Sequence, residues 1–483
     1  MSEPPAKGPS DLLRRQAAAT PDKIALVDGD TRLSFAELDR RVTSAALALG
    51  RGLRTGDRVA LQLGTGADLV LLYLGALRAG LVAVPVNPSY TAAEIDYVLS
   101  DCAAALHLAA DSTRDLLKSA PDGADPHCDR GGEELAVLLY TSGTSGRSKG
   151  AMLSARALLA NVDQIAAVEP PVLTADDVLF VPLPLTHIFG LNAGLGTALR
   201  VGATLVLADR FDPGATLATM AAEGVTALLG VPGQYAAWLA DPQFAAGFAS
   251  VRFAMSGSAT LARGVVDGYA EAGVTLYDGY GLTEAAPVVT INALGPGREH
   301  PRPGAIGLPL PGIEVELRDG DDEPVDDGDP GRLFVRGANL FSGYWPDGRE
   351  GPDAHGWFGT GDIAVTDESG QLHLVGRSSE LVIVNGFNVY PAEVEAVLAA
   401  HEDVAEVAVV GVPDGETGEA VHAFVVAAVG ATLQPDELLA TAARSLARFK
   451  LPKVIEIVAQ LPHTVTGKIM KWQLDREADG AAR

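Results

Sequence analysis

Residues 138–152 read LLYTSGTSGRSKGAM. Three glycines (Gly143, Gly146, Gly150), five hydroxyl residues (Thr141, Ser142, Thr144, Ser145, Ser148) and Lys149 lie between two short apolar runs. Glycines in such a loop can take positive φ and turn successive backbone N–H groups toward one anion. The hydroxyls add donors and Lys149 adds a point charge. With EELAVLLY in front of it as a buried strand, the stretch reads as a phosphate loop. It is not a Walker A loop, which needs G-x-x-x-x-G-K-[ST]; here Ser148 precedes Lys149 and Gly150 follows it. Gly146 to Gly150 also spells G-x-S-x-G, but a hydrolase elbow carries its serine directly after the strand. Residues 142–147 intervene here. On this segment alone, a surface loop without a ligand stays open.

Around the loop, short apolar strands alternate with Ala/Leu-rich helices. SFAELDRRVTSAALALG opens with Ser34 and Glu37 at capping-box spacing, which starts a helix. DRVALQL and LVAVPVN read as strands on either side of the helix ADLVLLYLGALRAG, and ATLVLA and VTALLGV continue the rhythm. This is an α/β pattern with largely buried parallel strands. After about residue 305, turn signals such as DGDDEPVDDGDPG crowd around short strands, which predicts a β-rich subdomain. From about Gly376 the texture changes again: strand ELVIVNG, a helix from Pro391, strands VAEVAVVGV and AVHAFVVA, then the helix PDELLATAARSLAR. The expected architecture is a large N-terminal domain of stacked α/β sheets, residues 1–376, and a small mobile α+β domain, residues 377–483. A chain of 483 residues is too long for one core.

Composition narrows the function classes. A hydrophobic share of 47% supports large cores and excludes a disordered chain. A net charge of −26 repels nucleic acid and anionic membranes. The local exception runs from Arg444 to Lys471, where Arg444, Arg448, Lys450, Lys453, Lys468 and Lys471 face one acid, Glu456. Cys102 and Cys128 form no CxxC or Cys/His cluster, which argues against structural zinc and for a reducing compartment. The first residues lack the apolar core of a signal peptide. The most apolar stretch, LVLLYLGALRAGLVAVPV, is cut by Arg78 and Gly80 and is too short to span a bilayer. A cytoplasmic protein without a membrane span or nucleic-acid partner is expected; its oligomeric state is open.

The glycine loop resembles the signature [YL]-T-S-G-[ST]-T-G-x-P-K-G of the adenylate-forming superfamily, in its acyl-CoA synthetase branch, with Ser145 for Thr and Ser148 for Pro. Further segments follow in the family's order: LPLTHIFGL, MSGSAT, YDGYGLTE, GWFGTGD, GRSSELVIVNGFNVYPAEVE and LPHTVTGKIMK. The resemblance implies an enzyme that makes an acyl-adenylate from ATP and a carboxylic acid, then passes the acyl group to a thiol. Bringing a carboxylate to an anionic α-phosphate calls for positioning and electrostatics. By resemblance, Thr141, Ser142, Gly143, Thr144, Ser145, Gly146 and Lys149 hold the β- and γ-phosphates. Glu284 carries Mg²⁺, a hard cation suited to carboxylate and phosphate oxygens. Thr283 touches the α-phosphate. Tyr280 stacks on adenine, with Gly257, Ser258, Ala259, Asp278, Gly279, Gly281 and Leu282 around that slot. Asp362 and Arg377 face the ribose, although an Asp in TGD is by itself an ordinary turn residue. Lys468, in Pro462-x-Thr464-x-x-Gly467-Lys468-x-x-Lys471, bridges the carboxylate and the α-phosphate. The basic stretch around it suits ATP and coenzyme A, both polyanions.

The resemblance also implies that the small domain rotates between the two steps. The pivot is Ser379, where the family usually has Asp or Lys. Asn385 and Gly386 would lie along the pantetheine arm of CoA, and His187 beside the acyl carboxylate. Phe189, Gly190, Val231, Gln234, Trp238 and Gly257 are the acyl-pocket candidates. LPLTHIFGLN offers no acid for a substrate ammonium, which favours an acid without an α-amino group. Ala237 stands where malonate-activating relatives carry Arg. No insertion interrupts LVGRSSELVIVNGFNVYP, which favours CoA over a carrier protein, and GFNVYPAEVE points to fatty-acyl-CoA ligases. The alternatives are a stand-alone adenylation enzyme loading a carrier-protein thiol and a non-catalytic nucleotide-binding relative.

Overall fold

The computed structural model describes residues 6–118, 123, 126, 130–141, 148–259, 261–295, 301–302, 304–384, 387–414, 417–463, 469–471 and 473–474. The chain forms two compact units, residues 1–315 with 335–358 and residues 316–334 with 359–483. Residues 316–334 and 359–376, which the sequence reading placed in the large domain, thus group with the second unit.

The first unit contains two sheets. One is five-stranded, in the order Leu106–Ala109, Arg58–Gln62, Val82–Val86, Leu135–Thr141, Lys149–Ser154. Its first four strands are parallel and the last is antiparallel. The other sheet runs from Ala305–Pro309 through Val288–Ile291, Leu276–Gly281, Phe253–Ser256, Ala227–Gly230, Val178–Val181, Thr204–Leu207 and Ile24–Asp28 to Thr31–Ser34. From Leu276–Gly281 to Ile24–Asp28 every pair is parallel; the flanking pairs are antiparallel hairpins. Ala227–Gly230 and Phe253–Ser256 are buried throughout, as strands covered on both faces of a parallel sheet are.

Local chemistry sets the helix starts. Ser34 caps Phe35–Leu49 as expected, its Oγ accepting from Glu37 N at 3.2 Å. Only half of the predicted capping box forms, because the Glu37 carboxylate accepts from Arg41 Nη2 at 2.6 Å instead. Ser154 ends the strand Lys149–Ser154 and caps the helix Ala155–Ala166. The glycine loop therefore joins two antiparallel strands, with Thr141 opposite Lys149. Lys149 sits on a strand, not at a helix start, which is why the Walker A spacing fails here.

In the second unit, a five-stranded sheet contains Phe387–Val389, Val382–Val384, Gly418–Ala427, Val404–Asp414 and Val454–Val458. Val394 and Leu398 of the helix Pro391–Ala399 and Leu438 and Ala442 of the helix Pro435–Ala442 close its core. The second helix stops at Ala442, short of the Arg448 read from sequence. The chain turns there and buries Leu446 in the same core.

Arg78, which the sequence reading used only as a break in an apolar run, is 2% exposed. Its guanidinium donates to Ser10 Oγ (2.9 Å), Thr43 Oγ1 (2.7 Å), Asp39 O (2.9 Å) and Asp39 Oδ1 (2.6 Å). It thereby ties three helices of the first unit together. Removing one member of such a buried network leaves the others unpaired. Arg78→Ala should lower the unfolding free energy by about 3–5 kcal/mol, checked by denaturant titration; a loss below about 1 kcal/mol contradicts the account.

Candidate active site

The site begins with a turn. Strand Leu276–Gly281 pairs antiparallel with Val288–Ile291, and the link between them holds Thr283 and Glu284 in one 3₁₀ turn, Thr283–Ala285. A Cβ on Gly281 would run into the Pro287 carbonyl, so only glycine lets the two strands approach this closely. Leu282 N closes the turn on Pro287 O at 3.0 Å. Three buried asparagines hold the rest. Asn339 Nδ2 donates to Ala285 O, Asn192 Nδ2 to Ala286 O and Asn161 Nδ2 to Val288 O, each at 2.7 Å. None of the three was singled out from sequence, where an isolated Asn carries no signal of its target.

Glu284 is 9% exposed. Its Oε1 accepts from Tyr344 OH at 2.6 Å, and no described residue donates to its other carboxylate oxygen. Among the described residues, no group of three or more His, Cys, Asp or Glu gathers as a metal site. One oriented carboxylate with an open oxygen suits Mg²⁺, which commonly takes one or two protein carboxylates and completes its shell with water and substrate phosphates. Tyr344 also links Glu284 to the glycine loop: Lys149 Nζ lies 5.1 Å over the Tyr344 ring. The same ammonium donates to both carboxylate oxygens of Glu350, at 2.9 and 2.7 Å. Sequence reading missed Tyr344 and Glu350, since neither stands in a segment with a phosphate-binding pattern. Thr141 Oγ1 donates to Lys149 O at 3.5 Å. Ser142, Gly143, Thr144, Ser145 and Gly146 lie outside the described residues.

The adenine candidates gather at adjacent strand ends. Ser256 pairs with Asp278 across parallel strands, so Gly257, Ser258 and Ala259 leave the sheet beside Asp278, Gly279 and Tyr280. Ligands of open α/β sheets sit at such carboxyl ends. Ser258 takes φ +75° and Ala259 is exposed. Asp278 and Tyr280 are 5% and 8% exposed on one face of their strand. Burial pushes the Asp278 carboxyl up to about 7, although the N–H groups of Gly279 and Leu261 favour its charged form. A Cβ on Gly279 would stand 3.0 Å from Thr290 O.

The acyl candidates separate. His187 is half-buried, and its Nδ1 accepts from Phe189 N at 3.3 Å. It leads into a π-helix, Phe189–Gly196, a geometry frequent at functional sites. A Cβ on Gly190 would lie 2.7 Å from Pro184 O. The Phe189 ring packs on Gly257, where a Cβ would meet it at 3.2 Å. Phe189 also lines a small apolar cavity, about 30 Å³, with Leu229, Phe253, Met255, Val288 and Ile291. No charged side chain lines it. Trp238 does not line this cavity. It is fully buried in a core with Tyr235, Phe248 and Tyr269, and its Nε1 donates to Thr216 Oγ1 at 2.8 Å. Val231 and Gln234 do not line the cavity either. Gln234 Oε1 accepts from Val231 N (3.1 Å) and its Nε2 donates to Pro182 O (2.8 Å), fixing a helix start.

In the second unit, Asp362 and Arg377 face each other across paired strands, Nε to Oδ1 at 3.0 Å. Ser379 lies in the 3₁₀ turn Ser378–Glu380, its side chain outside the described set; Asn385, Gly386 and Lys468 also lie outside it. Much of the basic stretch is taken up by the unit's own acids. Lys450 pairs with Glu393 (2.7 Å), Lys453 with Asp414, and Lys471 with Glu380 (2.7 Å) and Glu395 (2.9 Å).

Residues 13–345 match the AMP-binding enzyme family, and residues 393–468 match the AMP-binding enzyme C-terminal domain. The chain belongs to the AMP-binding enzyme family. It is 37% identical to a feruloyl-CoA synthase from Amycolatopsis sp, over 96% of this chain and 97% of the relative. It is 34% identical to a long-chain-fatty-acid–CoA ligase from Escherichia coli O157:H7, over 97% and 94%. The crystal structure of ATP-bound MatB from Rhodopseudomonas palustris superposes with a TM-score of 0.91 at 34% identity, covering 98% of this chain and all of that one. The resemblance read from the motifs therefore holds: this AMP-binding enzyme is an ATP-dependent acid–thiol ligase of the acyl-CoA synthetase type. The family uses ATP, Mg²⁺ and CoA. Among the described residues, no helix is long and apolar enough to cross a membrane.

Asp278 gives the fold a pH signature. Its carboxyl titrates near the ordinary 3.9 when unfolded and at about 7 when folded. Between those values the folded chain holds the extra proton, so this group's contribution is full at low pH and is lost as pH rises through about 7. Asp278→Asn should remove that decline, on the order of 2–4 kcal/mol between about pH 5 and about pH 8. Denaturant titrations of both proteins at the two pH values check it; parallel pH profiles contradict it.

Proposed function

We propose that this ligase activates a carboxylic acid without an α-amino group, of the fatty-acyl or aryl class, and transfers it to CoA. The uncharged lining of the cavity behind Phe189 carries this reading: a substrate ammonium or second carboxylate would find no partner there and would be costly to bury. The named relatives, one acting on feruloyl and one on long-chain acyl groups, support it.

In the first step a carboxylate oxygen attacks the α-phosphorus and the bond to pyrophosphate breaks. Thr141 to Lys149 would restrain the departing pyrophosphate, with Lys149 exchanging Glu350 for phosphate oxygens. Thr283 would hold the α-phosphate. Glu284, oriented by Tyr344, would hold Mg²⁺, whose bound charge offsets that of the phosphates. Gly257 to Ala259 and Asp278 to Leu282 would enclose adenine, with Tyr280 stacked on it. A neutral Asp278 spares the nucleotide a nearby charge. Asp362 and Arg377 would take the ribose, and His187 would stand at the carboxylate end of the acyl pocket. Lys468 would bridge carboxylate and α-phosphate as charge moves between them. In the second step the CoA thiol loses its proton and its sulfur attacks the acyl carbon, and AMP leaves. Rotation about Ser379 would withdraw Lys468 and bring Asn385 and Gly386 to the pantetheine arm. Residues 377–483 would form the rotating domain.

Two measurements test this. ATP, Mg²⁺, CoA and a mixed pool of fatty and aryl acids should yield acyl-AMP and acyl-CoA by mass spectrometry. Acyl-AMP that never converts with CoA but loads a phosphopantetheinylated carrier would transfer the assignment to a carrier-loading enzyme. Lys468→Ala should lower ATP–pyrophosphate exchange about 10²–10³-fold yet leave thioester formation from supplied acyl-AMP within about threefold. Equal loss of both half-reactions would rule out the role given to Lys468.

A further inference from the structure

Asn192 occupies an unusual position between two parts of the site. It is 1% exposed and sits on the π-helix Phe189–Gly196, directly before Ala193. Phe189 and Ala193 both line the apolar cavity. The Asn192 carboxamide points the other way: Nδ2 donates to Ala286 O at 2.7 Å and to Leu158 O at 3.0 Å. Ala286 directly follows the 3₁₀ turn that carries Thr283 and Glu284. The backbone of Asn192 is fixed as well, because Thr197 N–H donates to its carbonyl. Gly196 leaves room for the carboxamide; a Cβ there would stand 2.5 Å from Asn192 Oδ1.

We propose that Asn192 is a positioning residue that ties the filling of the acyl cavity to the placement of Thr283 and Glu284. The inference rests on the acyl-CoA ligase reading of this site. An acid that fills the cavity presses on Phe189 and Ala193, which share one short helix with Asn192. Packed interiors transmit such displacements, because they have little free volume to absorb them. The hydrogen bond to Ala286 O is buried, and breaking it would strand a carbonyl, so the turn follows the carboxamide. A well-fitting acid thereby brings Thr283 and Glu284 to their working positions, and an ill-fitting one leaves them displaced. Fit is then read in the rate of adenylation and not only in binding. Asn339 supplies an internal comparison: it holds the neighbouring Ala285 O at 2.7 Å from a segment that, unlike the π-helix, contributes no residue to the cavity lining.

The test compares wild type with Asn192→Ser, Gly196→Ala and Asn339→Ala. ATP–pyrophosphate exchange is measured for straight-chain acids of increasing length and one aryl acid, giving kcat and KM for each, with thermal melts alongside. In the wild type, kcat should differ among the acids. In Asn192→Ser the kcat ratio of best to poorest acid should shrink at least about fivefold, while the corresponding KM ratios stay within about twofold. Gly196→Ala, which keeps Asn192 but crowds its carboxamide, should do the same and serves if Asn192→Ser does not fold. Asn339→Ala should lower kcat by a common factor for all acids and leave the ratio unchanged. The inference is overturned if the wild-type kcat is the same for every acid, or if the folded variant at either position keeps the wild-type kcat ratio. It is also overturned if Asn339→Ala collapses the ratio equally. A wild type that exchanges with no acid sinks the ligase reading itself; exchange with an unchanged ratio sinks only the role of Asn192.

Discussion

A turn that leaves a sheet inside a protein must find partners for its own carbonyls. That constraint organises this site. Between Gly281 and Val288 the backbone can no longer satisfy itself across the sheet, and a buried unpaired carbonyl is costly. Three side-chain amides from three separate segments meet the need: Asn161, Asn192 and Asn339. The helix Ala155–Ala166, the π-helix and the segment around Asn339 are thereby anchored to the residues that carry Thr283 and Glu284. The segment 339–345 then reaches the glycine loop's second strand. Phe341 N donates to Glu284 O (2.8 Å), Ser342 N to Met152 O (2.9 Å) and Trp345 N to Gly150 O (2.8 Å). Glu284 and Lys149, far apart in sequence, share one backbone frame for this reason.

The electrostatics of that frame follow from a difficulty in the composition. A chain of net charge −26 must accept a polyanionic nucleotide. The described part of the site keeps its own negative charge in check by two routes. Burial keeps the Asp278 carboxyl largely protonated below about pH 7. A phenol hydrogen bond holds the Glu284 carboxylate in one orientation, facing a place where a cation can share it. Lys149 is paired with Glu350, 65% exposed. A surface ion pair of this kind is worth little in water, so its ammonium can change partners cheaply.

Patterned chemistry made much of this legible. Alternating apolar strands and capped helices announced the α/β layers, and Ser34 capped its helix where the sequence placed the start. The motif segments read in order led to the right family. What stayed hidden depends on directions in space. Asn192 and Asn161 lie on helices whose buried faces are mostly apolar, and nothing in the letters says which carbonyl they meet. Trp238 has the size and character of a pocket wall, yet edge-to-face contacts with Tyr235 and Phe248 place it in a core. The antiparallel strand after the glycine loop was missed because GAMLS is too short to show a period.

The basic stretch near the C-terminus illustrates how charge in a sequence differs from charge available to a ligand. Six cations against one acid between residues 444 and 471 suggest a surface for polyanions. In the fold, Glu393, Asp414, Glu380 and Glu395 come from other segments of the same unit and meet three of the lysines. Burial works against the charge on Lys471, but Glu395 and Glu380 outweigh it and hold its ammonium above the usual lysine range. Glu380 closes the 3₁₀ turn that contains Ser379. The second lysine of the C-terminal motif is therefore bonded to the turn proposed as the pivot. Lys468 precedes Lys471 by three residues in the sequence, so in the proposed rotation about Ser379 the two lysines would belong to the same moving domain.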